Sequence, residues 1–86
     1  MVWELSDPYE VEDELAAMGD DVWRIWLEVK PELLVDPSPT NPKLHITETN
    51  TTQLWLDGTD VYLLIFPTDD NHVMLIKAVD LLDELS

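Results

Sequence analysis

The chain is short of cysteine, glycine and positive charge. Its 86 residues include no Cys, two Gly and four Lys or Arg against 19 Asp or Glu, which gives a formal net charge of −15 at pH 7. The lack of cysteine excludes a disulfide framework, a thiolate zinc site and a cysteine nucleophile. Four cations cannot neutralise the row of phosphates that sequence-independent nucleic-acid binding requires, so no direct binding to DNA or RNA is expected.

Long apolar runs are missing as well. No stretch approaches the ~20 apolar residues that span a bilayer, and the first residues, which are acidic by Glu4, lack the apolar core of a secretory signal. The sequence therefore predicts a cytoplasmic protein with no membrane interaction. A hydrophobic share of 45 % is enough for residues 1–86 to fold as one domain despite the charge.

A proline-rich connector at residues 36–42 divides the chain. Three prolines in seven residues cannot continue a helix or lie in a central strand. Before the connector, residues 2–5 are a candidate short strand, and residues 8–18 have the apolar spacing of a helix. Asp7 has the identity of a helix N-cap, and Gly19 that of a C-terminal stop.

Residues 20–34 fit two interpretations. As a helix, they place five apolar residues on one face: Val22, Ile25, Trp26, Val29 and Leu33. As a strand, alternate residues from Trp23 onward are apolar, and only Trp26 breaks the rule. A helix is favoured, and because Pro31 removes a backbone hydrogen bond worth about 3 kcal/mol, it is expected to end or kink near Lys30.

After the connector the apolar period changes to two. Strands are predicted at 44–47, 52–56, 61–66 and 73–79, with turn residues at 57–60 and 67–71 between the last three. Residues 61–66 are apolar on both faces and should form the central strand, covered by helices on at least one side. Residues 80–86 are expected to be a tail or a docked final turn. The predicted class is α+β: a short N-terminal strand, two helices, and an antiparallel meander of three to four strands.

This order of elements resembles the RelE/ParE superfamily of toxin–antitoxin toxins over nearly the whole chain. The most specific likeness is the hairpin at Leu54–Phe66, and Asp69–Ile76 is similar to the acidic turn and final strand of that family. Further similarity lies at the entry to the first helix, at the junction of the two helices and at the end of the second: Ser6–Pro8, Leu15–Val22 and Asp36–Ser38. The resemblance implies a RelE/ParE-like fold.

The chemistry of the RNA-cleaving members of that family is not matched. Those members use Lys, Arg, His and Tyr to stabilise charge and move protons during phosphodiester cleavage. At the corresponding hairpin positions this chain has Gln53, Trp55 and Leu63, and its last residues, from Asp80 on, are acidic where the family has cations and a tyrosine. No catalytic residues are therefore assigned.

No cofactor or metal site is predicted either. His45 is interpreted as an ordinary half-exposed strand position, with a residual RNA contact as the alternative, and His72 as an exposed residue of a solvated turn. Asp57–Asp60 is explained by turn chemistry, and the acids near His72 match no calcium or zinc loop.

Four tryptophans among so many acids indicate a protein-binding surface. Large aromatic side chains are enriched at interface hot spots, and a field of one sign accelerates encounter with a partner of the opposite sign. The partner is predicted to be a positively charged protein. The anchors expected are Trp23, Trp26 and Trp55, and the acidic field is assigned to Glu12, Asp13, Asp20, Asp21, Asp69 and Asp70.

The leading hypothesis is a catalytically silent RelE/ParE-like protein that binds another protein, in or derived from a toxin–antitoxin module. A second hypothesis is an active toxin that uses unrecognised residues, with Lys43, His45 and Lys77 as candidates. A third is an acidic DNA mimic that inhibits a nucleic-acid-binding protein. Adaptation of the surface to high salt would also account for the acidity.

Overall fold

In residues 2–84, the part of the chain that the computed structural model describes, a layer of helices covers one face of a five-stranded sheet. This confirms the α+β class. Leu85 and Ser86, at the end of the predicted tail, lie outside the described residues. The elements in chain order are β1 (Glu4–Ser6), α1 (Tyr9–Ala17), α2 (Asp20–Val35), β2 (His45–Glu48), β3 (Thr52–Trp55), β4 (Val61–Pro67), β5 (His72–Asp80) and the one-turn helix α3 (Leu81–Glu84).

The sheet has the strand order β1-β5-β4-β3-β2. Strands β2 to β5 form the antiparallel meander that the period-two pattern predicts, with β4 in the middle of the sheet. Strand β1 pairs in parallel with β5 and makes the sheet mixed. The described sheet is therefore one strand larger than the predicted meander, because the N-terminal strand joins the edge that β5 leaves open.

Gly19 separates the two main helices. Its φ of 131° and ψ of 161° lie in a backbone region that is essentially restricted to glycine. This confirms the predicted stop after the first helix. The prediction that Asp7 caps the first helix is wrong. Pro8 occupies the cap position without a side-chain hydrogen bond, and Asp7 itself has a φ of 46°.

Residues 20–34 are helical, as the favoured interpretation predicts, and belong to α2. The prediction that the helix ends near Lys30 is wrong. The helix runs through Pro31 to Val35. Pro31 and Leu27, whose carbonyl oxygen loses its partner, are both exposed, so water can satisfy the free oxygen. Beyond the proline, Leu33 is 0 % exposed, and burying a leucine contributes about 1.5–3 kcal/mol. That contribution offsets the cost of the proline.

The connector at 36–42 contains no helix or strand and closes the C-terminal end of α2. Asn41, which is 7 % exposed, donates from Nδ2 to the carbonyl oxygen of Asp36 at 2.9 Å. The Asp36 carboxylate accepts the backbone N–H of Ser38 at 3.1 Å. The connector thus satisfies polar groups that the end of a helix leaves free.

Strand β5 contains one extra residue opposite β4. Leu64 pairs with Lys77, whereas Ile65 pairs with Leu75, so Ile76 stands between the two pairs. A bulge of this kind shifts the alternation of side chains along its strand. Leu75 before the bulge and Ala78 after it are consequently both buried against the helices.

The core lies between the helices and the sheet. Val11 and Leu15 of α1, with Val22, Trp26 and Leu33 of α2, pack on the inward residues of the sheet. Those inward residues are Ile46, Leu54, Leu56, Val61, Leu63, Ile65, Val73, Leu75 and Ala78.

Glu12 joins the two helices through a buried tryptophan. The Trp26 indole, 0 % exposed, donates from Nε1 to Glu12 Oε2 at 2.9 Å. Lys30 Nζ donates to the same oxygen at 3.1 Å, and the Glu12 side chain is only 14 % exposed. The carboxylate therefore satisfies a buried donor and a half-buried cation together.

Replacing Glu12 should destabilise the fold more than replacing its exposed neighbour. We expect Glu12→Ala to lower the free energy of unfolding by about 1–3 kcal/mol, because it leaves the Trp26 N–H without an acceptor. The control Asp13→Ala should change it by less than about 0.5 kcal/mol. Urea unfolding followed by tryptophan fluorescence measures both. Equal effects of the two substitutions would contradict the structural role of Glu12.

Candidate protein-binding surfaces

The outer side of α1 and α2 is densely negative. Because apolar residues recur at helical spacing toward the sheet, the acids between them point to solvent. We call these exposed carboxylates the acidic helical surface; they belong to Glu10, Asp13, Glu14, Asp20, Asp21 and Glu28.

Arg24 is the exposed cation on the described part of these helices. Its guanidinium lies 3.6 Å from Asp21, and both side chains are largely solvent-exposed. An ion pair of this kind contributes about 0–1 kcal/mol. The acidic helical surface therefore keeps a strong net negative charge.

The structure separates the residues predicted as one site. Asp13, Asp20 and Asp21 lie together on the acidic helical surface. Asp69 and Asp70 lie in the β4–β5 turn, and Trp55 lies on the opposite face of the sheet.

Two of the predicted site residues make their contacts inside the fold. Trp26 is completely buried, so the prediction that it anchors a partner is wrong. Glu12 is engaged by Trp26 and Lys30 and contributes little to the exposed field. Trp23 is half-buried and packs against the core. The physical reason is that the large apolar stripe of α2 is needed to cover the sheet.

The second surface is the face of the sheet turned away from the helices, which we call the open sheet face. It consists of the outward residues Glu4, Ser6, His45, Thr47, Gln53, Trp55, Tyr62, Leu64, Phe66, His72, Met74, Lys77 and Val79, together with the bulge residue Ile76.

An aromatic row crosses one end of the open sheet face. The Trp55 ring lies 4.6 Å from that of Tyr62 and 5.9 Å from that of His45, measured between ring centroids. Trp55 Nε1 donates to Thr47 Oγ1 at 3.0 Å, and Thr47 donates to Gln53 at 2.9 Å. The indole is therefore held in place before any partner binds.

Sequence reasoning missed the apolar residues of this face. Phe66, Met74 and Ile76 are 56 %, 45 % and 57 % exposed, which is unusual for side chains of this size next to one another. The sequence did contain a signal for this surface. The central strand is apolar on both faces, and the helical part is large enough to cover only one face of the sheet.

The candidate residues of an active toxin do not meet. Lys43 lies 3.7 Å from Glu32, and His45 Nδ1 lies 2.8 Å from Asp57 Oδ1. Lys77 lies three strands away from His45 in the sheet, a distance of about 14 Å at the usual strand spacing. His45 and Lys77 are therefore separated on the sheet, and each of Lys43 and His45 contacts a carboxylate.

A cavity lies where α2 begins. It measures about 380 Å³, and its lining includes Asp20, Asp21, Asp60 and Asp80. Within residues 2–84, no group of three or more His, Asp or Glu side chains is arranged to hold a metal ion. The described helices also include none long and apolar enough to cross a membrane.

Asp70 is held by its own turn. The Thr68 hydroxyl donates to its carboxylate, which lowers the pKa of Asp70 below the ordinary value, and His72 adds to the effect. Because the pKa is lower in the folded state, the ionised form stabilises the turn above the ordinary pKa. This stabilisation is lost as the pH falls through the folded-state pKa.

Removing the Thr68 hydroxyl should shift this titration. We expect Thr68→Val to raise the pKa of Asp70 toward its ordinary value, as measured by the pH dependence of its carboxyl carbon resonance. Thr40→Val, which removes a hydroxyl bonded to Ser38 instead, is the control and should leave Asp70 unchanged. The same Asp70 titration in the Thr68 variant and the wild type would contradict the assigned cause.

No protein-family model, curated protein or solved structure matches this chain. The RelE/ParE-like layout is therefore still a prediction, and the two surfaces themselves supply the basis for assigning a function.

Proposed function

We propose that the chain acts by binding a positively charged protein through its acidic helical surface, and that it catalyses no reaction. The observation that carries this proposal is the distribution of charge on α1 and α2. Six exposed carboxylates lie there beside one exposed arginine, which is itself paired with Asp21.

Electrostatics favours a basic protein as the partner. A surface of one sign raises the rate of encounter with a partner of the opposite sign and discourages partners of its own sign. Exposed carboxylates retain most of their hydration until contact, so their main effect is on the association rate and on specificity. The same field repels the phosphates of DNA and RNA.

The absence of catalysis is inferred from the positions of the titratable groups. A general acid and base must lie within hydrogen-bond reach of the same substrate atoms. The candidates Lys43 and His45 are each paired with a carboxylate, and Lys77 lies on a distant strand. A binding role in or derived from a toxin–antitoxin module, as the resemblance implies, is part of this proposal.

A DNA mimic is a second candidate, favoured by the exposure of these carboxylates on two rigid helices. Fixed negative charges on regular elements can occupy the basic groove of a nucleic-acid-binding protein. The partner would still be a basic protein, so the two candidates differ in which surface of that partner is covered.

The proposed surface can be tested with an arginine-rich peptide as the basic probe. A triple variant with Asp13→Asn, Asp20→Asn and Asp21→Asn removes three charges from the acidic helical surface. We expect its affinity to fall about tenfold, since three exposed charges contribute on the order of 0.5 kcal/mol each. Fluorescence anisotropy of the labelled peptide measures the affinity.

The control removes the same number of charges elsewhere. A triple variant with Asp57→Asn, Asp69→Asn and Asp70→Asn changes the net charge equally and should lose clearly less affinity. Equal losses would mean that the overall field binds the peptide and would overturn the assignment to the helices. Binding that stays constant from ~50 to ~500 mM salt would exclude electrostatic guidance.

Direct binding to nucleic acid is the third outcome. Tight attachment of the purified chain to a duplex oligonucleotide or to ribosomal RNA would overturn the proposal. Displacement of a duplex from a basic DNA-binding domain, without direct DNA binding, would favour the DNA mimic.

A further inference from the structure

The open sheet face has the side chains of an interface. Phe66, Met74 and Ile76 are about half exposed or more, and Trp55, Tyr62 and Leu64 lie half-buried beside them. In a sheet with only one covered face, the other face is normally polar. Here its centre is apolar, and its indole is already held by Thr47.

The charge of this face differs from that of the rest of the molecule. Among the outward residues of the described strands there is one carboxylate, on Glu4, and it lies 3.6 Å from His72. Lys77 is the lysine of this face. The face is therefore close to neutral on a chain of net charge −15.

This neutrality is what a second copy of the chain requires. Two copies repel each other through most orientations, because carboxylates cover the helices of both. Packing through the open sheet faces puts both acidic helical surfaces on the outside, as far apart as the fold permits. It also buries the exposed aromatic and aliphatic groups.

The strand register specifies which residues would meet. Lys77 and Gln53 are both in register with Leu64, one on each side of it. A two-fold axis that runs along β4, between the two sheets, exchanges these sides. Lys77 of one copy then faces Gln53 of the other, and no like charges meet at the centre.

The same axis places the aromatic row over the β5 side of the partner. Trp55 and Val79 are both in register with Tyr62, again on opposite sides. Val79 is only 5 % exposed, so Trp55 of one copy would lie over the surface around Val79 of the other rather than against its side chain. Sheets packed in this way cross at about 30°, and rows close to the axis stay opposite each other.

The size of the face is sufficient for a dimer of modest affinity. Strands spaced ~4.8 Å apart with a rise of ~3.3 Å per residue give sides of roughly 20 Å for β2 to β5. The projected area is then ~400 Å² per partner, which the relief of the side chains increases; this is below the ~800 Å² per partner of a standard interface and in the range of weak complexes.

We propose that the chain forms a two-fold homodimer through its open sheet face, with β4 at the centre and the acidic helical surfaces on the outside. This goes beyond the proposed function, and the dimer would present two identical acidic surfaces to basic partners. Sedimentation equilibrium should show a mass rising from 9.9 kDa to about twice that value between ~1 µM and ~1 mM chain.

Two charge reversals test which surface is involved. Lys77→Glu and Arg24→Glu each lower the net charge by two, but Lys77 lies on the open sheet face and Arg24 on the helices. We expect Lys77→Glu to weaken association at least tenfold, because it places carboxylates inside the interface. Arg24→Glu should have little effect. Equal weakening by both would overturn the proposed face.

A rescue experiment tests the two-fold arrangement. Gln53→Lys places two lysines opposite each other and should weaken the dimer, whereas Gln53→Lys combined with Lys77→Glu places opposite charges there and should restore it. Circular dichroism of each variant confirms folding. A folded double variant that associates no better than Gln53→Lys alone would overturn the arrangement.

Salt separates this proposal from the proposed function. Added salt screens the repulsion between two negative chains, so dimerisation should strengthen as salt rises, whereas binding of a basic peptide should weaken. A chain that stays monomeric up to ~1 mM at both low and high salt would overturn the dimer. Peptide binding by the acidic helical surface is measured independently, at concentrations where the chain is monomeric.

Discussion

The size of the helical layer is the constraint on which the rest of this structure depends. A sheet of five strands has two faces to cover, and the two main helices are enough for one. The buried apolar residues of these helices, among them Leu15, Trp26 and Leu33, cover that face. Two large surfaces then remain exposed to solvent: the outer side of the helices and the far side of the sheet.

Charge and apolar surface are sorted between these two sides. Helical periodicity sends carboxylates to solvent on α1 and α2, while the alternation of β4 sends Tyr62, Leu64 and Phe66 to the open sheet face. A molecule divided in this way can interact with two kinds of partner without conflict. The acidic side favours opposite charge, and the neutral side favours a surface that is itself apolar.

Much of the fold could be predicted from the chain because its local signals agree. Gly19 marks the boundary between the helices, and the turn residues around Gly58 mark a hairpin. Two features depended on tertiary packing and could not be predicted. The helix continues past Pro31 because Leu33 is buried beyond it, and β1 joins the sheet because the edge of β5 is available.

The candidate site was harder to predict than the fold. Side-chain type indicated that tryptophans and acids matter, but it could not distinguish Trp26, which covers the sheet, from Trp55, which lies on its other face. Glu12 was similarly indistinguishable from Asp13 until the indole N–H of Trp26 was found to bind it. Exposure of a residue depends on the position of its element in three dimensions, which single-sequence patterns do not contain.

Ile76, the residue of β5 that has no partner in β4, affects where the charge of this strand is placed. Ile76 interrupts the alternation, so that Lys77 projects away from the helices and Ala78 projects toward them. With every residue kept but no bulge, strict alternation from Leu75 would place Ile76 outward and turn the ammonium group of Lys77 inward, against the apolar interior. A one-residue irregularity in the backbone thus decides that the only cation of the last strand remains in contact with water.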